Sequence, residues 1–134
     1  MRTGLLARQA EEKQRIELQQ AHERLVELLS TKVVKRGKEY LEDERLVEAV
    51  LAQQKAWTVM KEADCELAGV VTGGASTWQS ARAVECEMLL TRQRTETIRG
   101  AVRCLEKAPS QRGFCLKPTM PFVPADSDDQ AERP

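Results

Sequence analysis

Few residues in this chain are of types that do chemistry, and their spacing decides which chemistry is open to them. The cysteines are Cys65, Cys86, Cys104 and Cys115, and the one histidine is His22. No two cysteines have the C-x-x-C spacing of zinc or redox sites, and His22 is far from all of them in sequence, which disfavours a metal centre. Four cysteines permit three disulfide connectivities. The reading that fits best is two structural disulfides formed in an oxidising compartment. His22 has no Ser or Cys nucleophile near it in sequence and sits at helical spacing, so catalysis is not expected of it. Asp64 and Glu66 could be drawn as the paired carboxylates of glycoside chemistry, but they belong to an acid-rich helix and nothing places them in a cleft. Gly73-Gly74 lacks the Lys-Ser/Thr that completes a phosphate loop. The chain is therefore expected not to be an enzyme and to hold no cofactor or metal.

The elements that must position these residues follow from composition and period. The chain has 134 residues, of which 41% are apolar, 31% charged and 4% aromatic. This is the balance of one globular domain whose core is built from Leu, Val, Ala and Met, and it favours helices over a β-sandwich. Lys plus Arg and Asp plus Glu are equal at 21 each, so no whole-molecule field steers nucleic acid or an anionic membrane. No run reaches the 18 or so apolar residues of a membrane span. Residues 1–13 hold only Leu5-Leu6 as an apolar stretch, too little for a secretory signal, so export would require a signal lost before Met1.

Residues 1–17 are polar and are expected as a poorly anchored helical extension. From there Leu18, Ala21, Leu25 and Leu28 recur at spacings of 3, 4 and 3, one stripe of a helix, widened by Val26 and Leu29. This first helix is predicted to run to about Lys35, with Gly37 at its C-cap. A second is predicted from near Glu39 to about Ala68. Its buried side is Leu46, Val50, Trp57, Met60 and Leu67, interrupted at Gln53 or Gln54. Residues 39–66 hold eight acidic against three basic residues, read mainly as a solvated face. Gly73-Gly74 ends the helical pattern, and Ser76 or Thr77 is the expected cap of the next helix. The third helix carries Ala81, Val84, Met88, Thr91, Thr95, Ile98, Val102 and Leu105 on a heptad-like seam, and Pro109 ends it.

The expected architecture is all-α. Three main helices form an antiparallel bundle stapled by disulfides, with a Gly-rich turn between the second and third. The helical domain spans 18–108. An irregular, Pro-rich tail spans 109–134, tied at Cys115 and disordered from about 125. Val71, Thr72, Gly73, Gly74 and Ser76 form the candidate partner-binding turn, because a short loop mixing apolar and small polar groups loses little entropy on binding when a cross-link limits it.

The pattern Gln54-x-x-Trp57-x-x-x-Lys61-Glu62-x-x-Cys65, then Gly73-Gly74, then Cys86-x-x-x-x-Thr91-x-x-Arg94-x-x-x-Ile98 resembles the LprI-like lysozyme inhibitors, small helical proteins of the bacterial envelope. Leu18-Gln-Gln-Ala21-His22-x-x-Leu25 is similar to that family's earlier Leu-Asn-x-Ala-Tyr-x-x-Leu stretch. The resemblance covers about residues 18–105. Three features depart from it: Lys61-Glu62 stands where Arg-Asp is usual, His22 where Tyr is usual, and the family's N-terminal cysteines are missing. The resemblance implies that Cys65 pairs with Cys86, with Cys104 and Cys115 as an added local bridge. It implies structural roles for Gln54, Trp57, Lys61, Glu62, Thr91 and Arg94. Trp57 is expected in the core, and Lys61, Glu62 and Arg94 in a salt-bridge or capping network. It further implies a periplasmic or secreted protein that inhibits a lysozyme-type peptidoglycan hydrolase by occlusion. The alternative is a non-enzymatic envelope module that binds another protein. Either way the partner is a protein and not a nucleic acid.

Overall fold

A computed structural model describes residues 2–31, 33–35, 38–40 and 44–121. Helix α1 spans Arg2–Leu29, and strands β1 (Val33–Lys35) and β2 (Lys38–Tyr40) form an antiparallel ribbon with Val33 opposite Tyr40. Helix α2 spans Glu44–Thr72 and α3 spans Ser76–Lys107. The short α4 (Arg112–Leu116) runs into a 3-10 turn over Lys117–Thr119. The described chain is thus helical apart from one small ribbon. No described helix is long and apolar enough to cross a membrane.

Three boundaries differ from expectation. The first helix stops at Leu29, six residues before Lys35. Ser30 and Thr31 turn their hydroxyls back onto the carbonyls of Val26 and Leu28, both at 2.8 Å, offering the backbone a local alternative to helix. Val33, Val34 and Tyr40 then favour extended chain. Gly37, expected as a cap, lies outside the described residues. The second helix starts at Glu44 and continues past Gly69 to Thr72. The tail folds locally as α4 and the 3-10 turn where irregular chain was expected; its segment beyond 121 lies outside the described residues.

The core is aliphatic. Leu18, Ala21, Leu25 and Leu29 of α1 meet Ile98, Ala101 and Leu105 of α3, with Val50 of α2 and Leu116 of α4. The stripe of α1 therefore turns on Leu29, which is fully buried, while Leu28 is half-buried. On α2, Leu46 and Trp57 are half-buried, but Met60 and Leu67 face solvent against expectation. From Thr91 onward the seam of α3 is buried except for the half-buried Val102, and Thr95 Oγ1 donates to the Thr91 carbonyl at 2.8 Å. Ala81, at its start, is exposed.

Ion pairs align the helices. Glu17 meets Arg99 at 3.7 Å and Arg24 meets Glu106 at 3.2 Å, so α1 and α3 run in the same sense. Lys61 meets Glu87 at 3.7 Å and Cys65 is bonded to Cys86, so α2 runs opposite to α3. The second disulfide joins Cys104 to Cys115 and holds α4 on the end of α3. Arg112 adds a 2.7 Å bond from its guanidinium to the Thr31 carbonyl. Each disulfide closes a short loop and stabilises the fold by about 3 kcal/mol in the chain-entropy account.

Gly69 sets how closely α2 and α3 approach. A Cβ at this position would lie 2.5 Å from the Gln79 carbonyl oxygen and 3.3 Å from its carbon, both backbone atoms. Gly100, also inside a helix, has its nearest neighbour at 3.8 Å, the tip of Arg103. The same substitution should therefore have opposite signs at the two sites. Gly69→Ala is expected to destabilise by about 1–3 kcal/mol through overpacking, and Gly100→Ala to stabilise by about 0.5–1 kcal/mol through helix propensity. Urea denaturation of both variants measures this, and a neutral or stabilising Gly69→Ala would refute the close approach.

Candidate functional site

Arg94 lies on the buried face of α3, three residues after Thr91 and four before Ile98, and is only 7% exposed. Its Nε donates to Gln54 Oε1, its Nη2 to Gln53 Oε1 and its Nη1 to the Thr119 carbonyl, each at 3.0 Å. Gln53 Nε2 donates to the same carbonyl at 3.0 Å, closing the ring of contacts. The guanidinium carbon is 5.7 Å from the centre of the Trp57 ring, and Lys61 Nζ is 5.4 Å from it. No carboxylate pairs with Arg94 among the described residues, and burial pushes its pKa below the usual value. A buried cation is here solvated by neutral oxygens and an aromatic face.

The expected charge network takes another form. Lys61 and Arg94 meet at Trp57, and Lys61 pairs with Glu87. Glu62 is exposed and has no ion pair among the described residues. Trp57 is half-buried at the edge of the core. Gln54, Trp57 and Arg94 do come together, and Thr91 is buried one turn before Arg94. Gln53 as a partner, and Thr119 altogether, were not expected from the sequence. The paired glutamines interrupting an apolar stripe were the available signal for the first; nothing in the pattern marked Thr119.

His22 was weighed in the sequence only as a metal-binding or catalytic residue. It is 9% exposed and lines a groove of about 590 Å³ between α1, α2 and α3. Burial first, and the charge of Arg94 second, push its pKa down, opposed by a backbone hydrogen bond at Val50. Its Nε2 is buried without a partner among the described residues, as is Oε1 of Gln14, which lines the same groove.

The far end of the α2–α3 pair is different in kind. Gly73 and Gly74 have φ of +70° and +81°, the left-handed region open to glycine. The cap of α3 is Ala75, with no side-chain bond, so neither Ser76 nor Thr77 plays the expected capping role. Val71 is 75% exposed and Trp78 65%, with Leu67 and Val70 also facing solvent. Of the candidate turn residues, Val71 and Thr72 end α2, Gly73 and Gly74 make the turn and Ser76 begins α3. Trp78 was not singled out from sequence, although it follows the turn as Val70-Val71 precede it. The Cys65–Cys86 disulfide sits behind this tip, with its Cα atoms 5.4 Å apart.

Two measurements test the geometry. Arg94→Lys keeps the charge but cannot reach Gln53, Gln54 and Thr119 together, leaving buried acceptors unmet at about 1–3 kcal/mol each. Lower stability and faster amide exchange over residues 112–120 are expected; unchanged exchange there would show that Arg94 does not hold the C-terminal turn. For His22, the neutral form is favoured in the folded chain while the unfolded chain takes up a proton near the ordinary value of 6.5. Below that pH the unfolded state binds more protons, so stability should fall as pH drops through it and level off above. Denaturation curves between about pH 5 and 7 should show this slope in the native chain and lose it in His22→Gln.

A family model described as lysozyme inhibitor LprI matches residues 6–98. No curated protein and no solved structure matches the chain. The matched span contains the groove, the tip, the Cys65–Cys86 staple and Arg94, and ends before Cys104, Cys115 and Thr119. The chain belongs to the lysozyme inhibitor LprI family.

Proposed function

We propose that this protein inhibits a lysozyme-type peptidoglycan hydrolase by occlusion, presenting the α2–α3 tip to the cleft of the enzyme. In this reading α1, α2 and α3 form an antiparallel bundle and the Gly-rich turn is its working end. Family membership supplies the target class. The observation that carries the mechanism is the exposed apolar tip, where Val71 and Trp78 flank the Gly73-Gly74 turn. Exposed apolar patches of this kind mark contact sites, and Trp is enriched among residues that dominate binding energy. The disulfide behind the tip limits its freedom, so less ordering entropy is lost on binding. Two disulfides suit a periplasmic or secreted protein. The action is steric and uses no catalytic group.

The test is lysis of a cell-wall suspension by lysozyme, titrated with the oxidised protein, a reduced and alkylated control, and Val71→Glu/Trp78→Glu. Both substituted residues are exposed, so helicity should be unchanged. The native chain should inhibit stoichiometrically, and the double variant should lose at least about tenfold, the scale of a hot-spot pair. Full inhibition by the variant would remove the tip from the mechanism. A folded native chain that fails to inhibit at high micromolar concentration would exclude lysozyme and favour an envelope module that binds a different protein.

A further inference from the structure

We propose that the Cys65–Cys86 disulfide is a redox latch: its reduction by a dithiol releases the α2–α3 tip while the body of the fold stays intact. The effect on a hydrolase rests on the reading of this chain as an inhibitor; the latch itself does not.

The two disulfides stand in different surroundings. Cys115 belongs to the aliphatic cluster and Cys104 packs against it. Neither the cluster nor the residues packed on it include any position between Trp57 of α2 and Ile98 of α3. Cys65 is fully buried yet lies outside the cluster, and beyond it Leu67, Val70, Val71 and Trp78 face solvent. Without the Cys104–Cys115 bond, Leu116 in the cluster and the bond from Arg94 to the Thr119 carbonyl still hold the C-terminal turn. Without the Cys65–Cys86 bond, little holds the tip. Lys61–Glu87, the one ion pair between α2 and α3 among the described residues, lies on the body side of the disulfide. Beyond it the hydrogen bonds are local. The Gly73 N–H donates to the Val70 carbonyl at 3.1 Å, the Thr72 hydroxyl to the Ala68 carbonyl at 2.8 Å and Gln79 Nε2 to the Gly74 carbonyl at 3.3 Å. Among the described residues no hydrogen bond joins the two helical arms there, and the close approach of Gly69 to α3 remains.

Past the cysteines each arm is short, residues 66–72 on α2 and 76–85 on α3. Helical segments under about 12 residues are marginal in water without packing. Cys65 and Cys86 are 21 positions apart, and closing a loop of that size suppresses open conformations about a hundredfold in the chain-entropy account. Reduction removes that factor, and the arms fray from the turn back toward the cysteines. Val71 and Trp78 then lose their fixed arrangement and must be ordered again on binding.

The chemistry is thiol–disulfide exchange. Cys65 is inaccessible and Cys86 half-buried, so the attacking thiolate bonds to the Cys86 sulfur. The Cys65 sulfur leaves with the electron pair of the broken bond and takes up a proton. The second thiol of the reductant then attacks the reductant sulfur of the mixed disulfide and expels Cys86 as a thiolate, which is protonated in turn. The reductant departs as its cyclic disulfide, having passed two electrons and two protons to the protein.

The test follows amide exchange in the native chain, in Cys104→Ala/Cys115→Ala, which keeps only the latch, and in Cys65→Ala/Cys86→Ala, which lacks it. Each is measured oxidised, after dithiothreitol, and after reoxidation with glutathione disulfide. In Cys104→Ala/Cys115→Ala, dithiothreitol should speed exchange over residues 66–85 about a hundredfold, leave residues 94–106 unchanged, and be reversed by reoxidation. Cys65→Ala/Cys86→Ala should exchange fast over 66–85 with or without dithiothreitol. The native chain gives the same comparison of the two regions should a variant fail to fold. Exchange over 66–85 that ignores reduction, or an equal rise over 94–106, overturns the latch. Lysis of a cell-wall suspension reads the consequence separately. Inhibition by Cys104→Ala/Cys115→Ala should fall at least about tenfold on reduction, and undiminished inhibition overturns the latch as a control of the tip. A tip released selectively in a chain that never inhibits lysozyme keeps the latch and loses the hydrolase.

Discussion

A single buried guanidinium ties together three segments of this fold that are distant in sequence. Arg94 reaches from α3 to two neighbouring glutamines on α2 and to the carbonyl of Thr119 beyond α4. Taking such a charge out of water costs several kcal/mol unless it is fully hydrogen-bonded. Here three directed bonds and the Trp57 ring offset that cost without a carboxylate. Lysine could not replace it, because one ammonium cannot span three acceptors that lie around a planar fork. The position of every partner is then constrained: α2 must present Gln53 and Gln54 at this height, and the 3-10 turn must bring Thr119 back to α3. The same charge helps to hold His22 neutral, so the character of the groove depends on a residue that does not line it.

Away from Arg94 the two halves of the molecule are held by different forces. At one end, aliphatic residues of α1, α3 and α4 close around Leu25, Leu29, Ile98 and Leu105, all essentially inaccessible. At the other, beyond Lys61 on α2, the buried residues are Cys65 and Gly69. There is no side-chain core there. The tip of the hairpin is held by the disulfide and by the backbone approach that Gly69 permits. This explains how a helix pair can carry Leu67, Val70, Val71 and Trp78 outward without unwinding: their packing is not what keeps the helices together.

The sequence pattern made the helical architecture legible because its period is strong where the core is strong. Thr91, Thr95, Ile98 and Leu105 lie on the seam and are buried. It failed where a local interaction overrode the period. Ser30 and Thr31 end α1 early by bonding backward. Gly69 reads as a helix breaker in isolation, yet it is required inside α2 by its neighbour on α3. Met60 and Leu67 fit an apolar stripe but stay exposed among the described residues. For the site, Gln54, Trp57 and Arg94 were singled out together by the motif, but Trp57 was expected in the core and Arg94 in a charge network with Lys61 and Glu62. What spacing could not reveal is that Arg94 is solvated by amide and backbone oxygens, one of them 25 residues away at a position with no motif.

The tip and the groove differ in physical character. The tip exposes apolar side chains on a turn with a disulfide behind it. The groove is lined by carboxylates, the half-buried Trp57 ring and the buried imidazole of His22. They are joined through α2 and α3: Lys61 and Glu87 line the groove, and Cys65 and Cys86, the next turn toward the tip on α2 and the adjacent residue on α3, form the staple behind the hydrophobic end. A shift in the crossing of these two helices would therefore disturb both surfaces. The disulfide, the Gly69 contact and the Arg94 ring all resist that shift, placed in turn along the same helix pair. The α2–α3 hairpin is thus fixed at three heights, and these contacts set the position of the tip relative to the groove.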